Sequence, residues 1–151
     1  SRLFLEIREK RGLAYYVHSG SEEFLDAGYF VTQSGLNIDA ASEAIKVILE
    51  EYAKLKGDLV TTEELKRAKD YHKGKMVLSL EDSYRNASFY VAQEVTEKKI
   101  ETPEEILGHI DEVTTEDIRR VAKEIFKTDK LNLAVVGPFK EEGKFDSLLK
   151  L

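Results

Sequence analysis

With 151 residues, 42% hydrophobic and 34% charged, the chain has the size and composition of a single globular domain, residues 1–151, and not of a disordered tail. The net charge of -6, with acidic and basic residues interleaved, argues against a nucleic-acid surface, which needs concentrated Lys and Arg. With no cysteine there are no disulfides, thiolate metal sites or cysteine nucleophiles, and no apolar run has the length of a membrane span. The expectation is a cytoplasmic protein that meets neither nucleic acid nor membrane.

The first predicted element is a helix with Leu3, Phe4 and Ile7 as its apolar stripe. Lys10 and Arg11 suit the negative end of its dipole, and Gly12 suits a left-handed cap. Leu13 to Phe24 reads as a strand, Asp26-Ala27-Gly28 as a turn, and Tyr29 to Leu36 as a second strand, together a hairpin. Strict alternation would set Tyr15, Val17 and Phe30 on one face against Tyr16, Tyr29 and Val31 on the other. A sheet with bulky groups on both faces calls for two covers. This domain's helices would supply one, and a partner or another part of a parent chain the other.

Helices follow. Asp39 is the expected cap of a helix through Ala41, Ile45, Ile48, Tyr52 and Leu55 that ends at Gly57. Thr61-x-x-Glu64 opens another, with Leu65, Ala68 and Met76 among its inward candidates. Asp82 caps a third through Tyr84, Ala87, Val91 and Val95. Thr102-Pro103-Glu104-Glu105 is a complete helix start, with cap residue, proline at the first position and capping-box glutamate. Thr114 or Thr115 begins a fifth, along Ile118, Val121, Ala122 and Ile125. Val60-Thr61-Thr62-Glu63-Glu64 recurs almost unchanged as Val113-Thr114-Thr115-Glu116-Asp117, the same capping solution used twice, because the flanking residues share no period. Leu131 to Gly137 is predicted as a third strand, and Glu141 to Leu151 as a last short helix. The fold class is α+β, an antiparallel sheet packed on several helices.

Most reactive motifs are absent. His18, His72 and His109 do not share a metal-binding spacing. His109-Ile110-Asp111-Glu112 begins like the zinc motif H-x-x-E-H, but Val113 stands where the second histidine must be, and a catalytic zinc needs three protein ligands. No phosphate-binding loop or G-x-S-x-G elbow is present. The acidic pairs, such as Glu104/Glu105, are accounted for by helix first turns and solvated faces. Arg8 and Tyr15, seven apart across a helix end and into a strand, have an ordinary structural reading as well. Arg8 would lie at the edge of the stripe one turn after Phe4, and Tyr15 would join Leu13 and Val17 in the core.

The run Leu3-Phe4-x-Glu6-Ile7-Arg8-Glu9-x-Arg11-Gly12-Leu13-Ala14-Tyr15 resembles the start of the second half of insulinase/pitrilysin-type zinc peptidases, which include the mitochondrial processing peptidases. Members of that family close two homologous halves, or two paired subunits, like a clamshell. The first half carries H-x-x-E-H, and the second an arginine and a tyrosine in this segment. The resemblance implies that the Tyr15 hydroxyl stabilises the oxyanion at the scissile carbonyl and that Arg8 grips a neighbouring substrate carbonyl. It also implies a family layout lacking its first strand and helix, a zinc-bearing N-terminal half or partner subunit, a peptide substrate, and a homo- or heterodimer among the possible assemblies. The chain would hold no metal and be inactive alone. The alternative is a non-catalytic structural or peptide-binding subunit that pairs with an active peptidase.

Overall fold

The computed structural model describes residues 1–97 and 99–151. In chain order come an opening π-helix (Phe4–Glu9), strands β1 (Ala14–Glu23) and β2 (Gly28–Leu36), and helices α1 (Ala41–Gly57), α2 (Thr62–Leu80), α3 (Ser83–Thr96), α4 (Pro103–Glu112) and α5 (Thr115–Ile125). Short 3-10 turns lie at Ile38–Ala40, Thr128–Lys130 and Asp146–Leu148. The fold is α+β, with β1 and β2 paired antiparallel. No helix among the described residues is long and apolar enough to cross a membrane. The chain divides into two compact units, one of Ser1–Glu23, Ala27–Asp58 and Arg119–Leu151, the other of Phe24–Asp26 and Leu59–Ile118.

The first unit holds the buried core. Leu3 and Ile7 of the opening helix, Leu13 and Ala14, and Ala44, Ile45 and Tyr52 of α1 belong to one apolar cluster with Ala122, Phe126 and Phe145. Ile7 is fully buried. One face of the hairpin turns towards this core. Phe30 meets the rings of Tyr52 and Phe126 edge-on, with centroids 5.8 and 5.4 Å away, and Tyr52 stacks on Phe126 at 4.3 Å. The Thr32 hydroxyl links Ser19 (2.7 Å) to the Tyr52 hydroxyl, so the polar atoms of this half-buried row satisfy one another. Burial raises the Tyr52 pKa, and the Thr32 hydrogen bond opposes the rise.

Several local expectations are corrected here. The cap before α1 is Asn37 rather than Asp39: its side-chain oxygen accepts from the Asp39 N–H, 3.3 Å away, and opens the 3-10 turn that leads into the helix. Leu131 to Gly137 has the composition of a strand but forms no ladder, because the sheet among the described residues pairs only β1 with β2. Backbone hydrogen bonds to a neighbour make a strand, and apolar composition cannot supply the neighbour. The expected terminal helix shortens to the Asp146–Leu148 turn, and Leu151 is pinned by its N–H and C=O to the Thr128 hydroxyl at 2.9 and 2.8 Å.

In the second unit the helix starts form as the sequence indicates. The Thr61 hydroxyl accepts from the Glu64 N–H (3.1 Å) and the Asp82 carboxylate from the Arg85 N–H (2.9 Å). Thr102 and Glu105 complete a reciprocal capping box, at 3.2 and 2.8 Å. Thr114 and Asp117 form another, at 3.2 and 3.0 Å. Lys73 reaches both oxygens of Asp111, at 2.8 and 2.9 Å, and Lys69 donates to the Asp111 carbonyl, tying α2 to the end of α4. Lys73 holds the Asp111 pKa below the ordinary carboxylate value. No residue of α2, α3 or α4 is buried. Leu65 and Met76 are half-buried, Ala68 is exposed, and on α3 Tyr84, Val91 and Val95 are 80%, 62% and 67% exposed. Helical spacing predicts which residues share a face, and whether that face has a cover is a separate matter.

Candidate functional site

Arg8 lies in the last turn of the opening helix. That helix is π-wound over Phe4–Glu9, with the Lys10 N–H donating to the Leu5 carbonyl at 2.9 Å. The widened turn brings residues five apart together. Glu6 accepts from Arg11 through one carboxylate oxygen (2.6 Å) and from Lys10 through the other (2.5 Å), and Arg11 also donates to the Glu6 carbonyl (2.9 Å). These bonds, Lys10 first and Arg11 second, lower the Glu6 pKa from the ordinary 4.5 to about 2. Both oxygens of the Glu6 carboxylate are thereby committed to Lys10 and Arg11. Arg8 is exposed, and its guanidinium lies over the Phe4 ring, 5.0 Å from the centroid. The helix ends at Gly12, where φ is +61°, the left-handed cap that the sequence predicts. The Gly12 N–H donates to the Arg8 carbonyl (3.1 Å) and the Leu13 N–H to the Ile7 carbonyl (2.9 Å). The cap turns the chain directly into β1.

Tyr15 stands at an irregularity in β1. Ala14 pairs with Leu36 and Tyr16 with Gly35, so two steps along β1 match one along β2, and Tyr15 is the extra residue of a β-bulge. The bulge overturns the expected alternation. Ala14 and Val17 both pack on the core, whereas Tyr15 is 76% exposed and Tyr16 58% exposed. The core reading of Tyr15 therefore fails. Its hydroxyl makes no hydrogen bond among the described residues. Past the bulge, Val17, Ser19 and Ser21 pair with Ser34, Thr32 and Phe30 on the core side. Tyr16, His18, Gly20 and Glu22 pair with Gly35, Gln33, Val31 and Tyr29 on the other.

Arg8 and Tyr15 are thus both exposed on one helix–cap–strand passage. The bulge could not be read from the sequence, because an inserted residue leaves no mark on composition. The three histidines sit on separate elements. His18 is exposed on the outer face of the hairpin, and His72 is exposed on α2. His109 of α4 lies between Glu101 (3.2 Å) and Glu112 (3.5 Å), which in that order raise its pKa above the ordinary 6.5. Among the described residues no group of three or more His, Cys, Asp or Glu is placed to hold a metal ion, so this donor set does not fit zinc.

Comparison with known proteins follows the same segment. Residues 1–71, which contain both Arg8 and Tyr15, match the family model described as the Peptidase M16 inactive domain. The uncharacterized zinc protease YmxG of Bacillus subtilis (strain 168) is 33% identical over 138 residues, covering 91% of this chain and 34% of the relative. The uncharacterized zinc protease ML0855 of Mycobacterium leprae (strain TN) is 36% identical over 139 residues, 92% of this chain and 31% of the relative. A third relative, the probable inactive metalloprotease YmfF of Bacillus subtilis (strain 168), is 27% identical over 125 residues, 83% of this chain and 29% of its own length. The chain spans about a third of the length of the curated relatives it matches.

Proposed function

We propose, for a chain whose residues 1–71 match the family model of the Peptidase M16 inactive domain, the role of substrate-binding half in a zinc-dependent endopeptidase. That match and the zinc-protease relatives support a peptidase-associated domain. In this reading it lines the peptide chamber and offers Arg8 and Tyr15 to a reaction centre whose zinc is held by another half or subunit, so it is inactive alone. One observation carries the proposal: the bulge at Tyr15 leaves a phenol exposed and without an internal partner among the described residues, one short cap away from an exposed arginine.

The chemistry suits acyl transfer. A phenol is a neutral donor at pH 7, and a donor fixed in advance helps most where charge develops on a carbonyl oxygen and water is excluded. Tyr15 would donate to the oxygen of the scissile carbonyl. Arg8 would donate to a neighbouring backbone carbonyl of the peptide with a permanently charged planar fork.

The test is reconstitution with a zinc-bearing half. Tyr15→Phe is expected to lower kcat about a hundredfold or more, the usual effect of removing one oxyanion donor. Arg8→Ala is expected to raise KM and lower kcat/KM. Unchanged turnover in both variants would overturn the assignment. The name of YmfF, a probable inactive metalloprotease, favours a second reading, a non-catalytic peptide-binding subunit. In that case peptide binds, Arg8→Ala weakens binding, and no zinc-bearing half restores turnover.

A further inference from the structure

We propose that Gly35, Tyr16 and Ser34 form a lock that fixes the direction of Tyr15, which makes them positioning residues for the chemistry assigned above. The inference rests on that reading. A bulged residue has no cross-strand neighbour to hold it, so its aim depends on the pair beside it. Here that pair is Tyr16 and Gly35.

The Tyr16 ring lies directly against Gly35. A Cβ built on Gly35 would stand 2.4 Å from Cε1 of that ring and 2.8 Å from Cδ1, closer than real carbon atoms approach. Position 35 has no room for a side chain while the ring stays in place. An aromatic ring lying over a glycine of the partner strand shields exposed backbone and pins register. The second tie is polar: the Ser34 hydroxyl donates to the Tyr16 carbonyl at 3.0 Å. Ring and carbonyl of Tyr16 are therefore both held by consecutive residues of β2. The Tyr15 carbonyl carbon is bonded to the Tyr16 nitrogen, so fixing Tyr16 fixes one end of the bulge. The other end is fixed by Ala14, buried in the core.

Elsewhere on the hairpin a glycine is not so constrained. A Cβ on Gly20 would meet only Nε2 of His18, at an ordinary 3.8 Å. Gly20→Ala is accordingly the matched control for Gly35→Ala.

The experiment uses the chain assembled with its zinc-bearing half and carrying ring-labelled tyrosine. Seven tyrosines give a readable set of signals, and Tyr15 is assigned by its loss in Tyr15→Phe. Gly35→Ala is expected to shift the Tyr15 ring signal and lower kcat about tenfold or more with KM nearly constant, since small displacements of a positioned group are costly. The kcat effect is expected to vanish in a Tyr15→Phe background, the non-additivity of residues acting through one another. Gly20→Ala should move neither signal nor kcat. Ser34→Ala, a milder change, should give a several-fold fall with the same loss in the Tyr15→Phe background, and it serves if Gly35→Ala fails to fold. An unmoved Tyr15 signal, or an equal kcat effect with and without the Tyr15 hydroxyl, overturns the lock. Unchanged turnover in Tyr15→Phe itself overturns instead the role given to Tyr15, so the two failures are distinct.

Discussion

Glu6 illustrates how one residue organises the approach to the site. Its carboxylate holds Lys10 and Arg11 across the π-wound turn, while Arg8 is exposed and lies over the Phe4 ring. Because its folded pKa lies near 2 against an ordinary 4.5, its contribution is fully present above pH 4.5 and is lost as pH falls towards 2. The opening helix is therefore expected to loosen over that acid window, followed as faster amide exchange or altered Lys10 and Arg11 side-chain signals. Glu6→Gln should remove the pH dependence. The residue types Glu6, Arg8, Arg11 and Gly12 were all legible in the sequence, as was the left-handed cap. The pairing of Glu6 with a residue five positions on was not, because an α-helix pairs residues three and four apart and only the wider winding brings the fifth into reach.

At the scale of elements, helix starts were the most legible feature. Capping is local chemistry between residues three apart, so Thr61, Asp82, Thr102 and Thr114 each act where the sequence places them. Thr102→Ala breaks the capping box that opens α4 and is expected to weaken that helix by about 1 kcal/mol, read as faster hydrogen exchange confined to its first turns. Strand β1 was legible in extent but not in register. A period of two assigns Tyr15 to the face of Val17, and one bulged residue breaks the alternation and exposes the tyrosine. The segment from Leu131 to Gly137 fails for a related reason: a strand is defined by its neighbour, and among the described residues none pairs with it.

For the molecule as a whole, burial differs sharply between the two units. The first holds the apolar cluster around Ile7 and α1, whereas no residue of α2, α3 or α4 is buried. Amides of α1 are accordingly expected to outlast those of α2 and α3 in native-state hydrogen exchange. Ile7→Ala should cost the first unit about 2–5 kcal/mol in denaturant unfolding, while Leu5→Ala, 53% exposed, should stay within about 0.5 kcal/mol. The sequence by itself determined the α+β class, the helix starts, the cap at Gly12 and the family resemblance carried by the run from Leu3 to Tyr15. All of these depend on residues close along the chain, where side-chain type and spacing settle the outcome. Only the tertiary structure decided that Tyr15 leaves the core, that Tyr16 lies against Gly35, and that the apolar lines of α3 face outward. Each depends on atoms brought together from distant parts of the chain, or on a covering surface that no local pattern specifies.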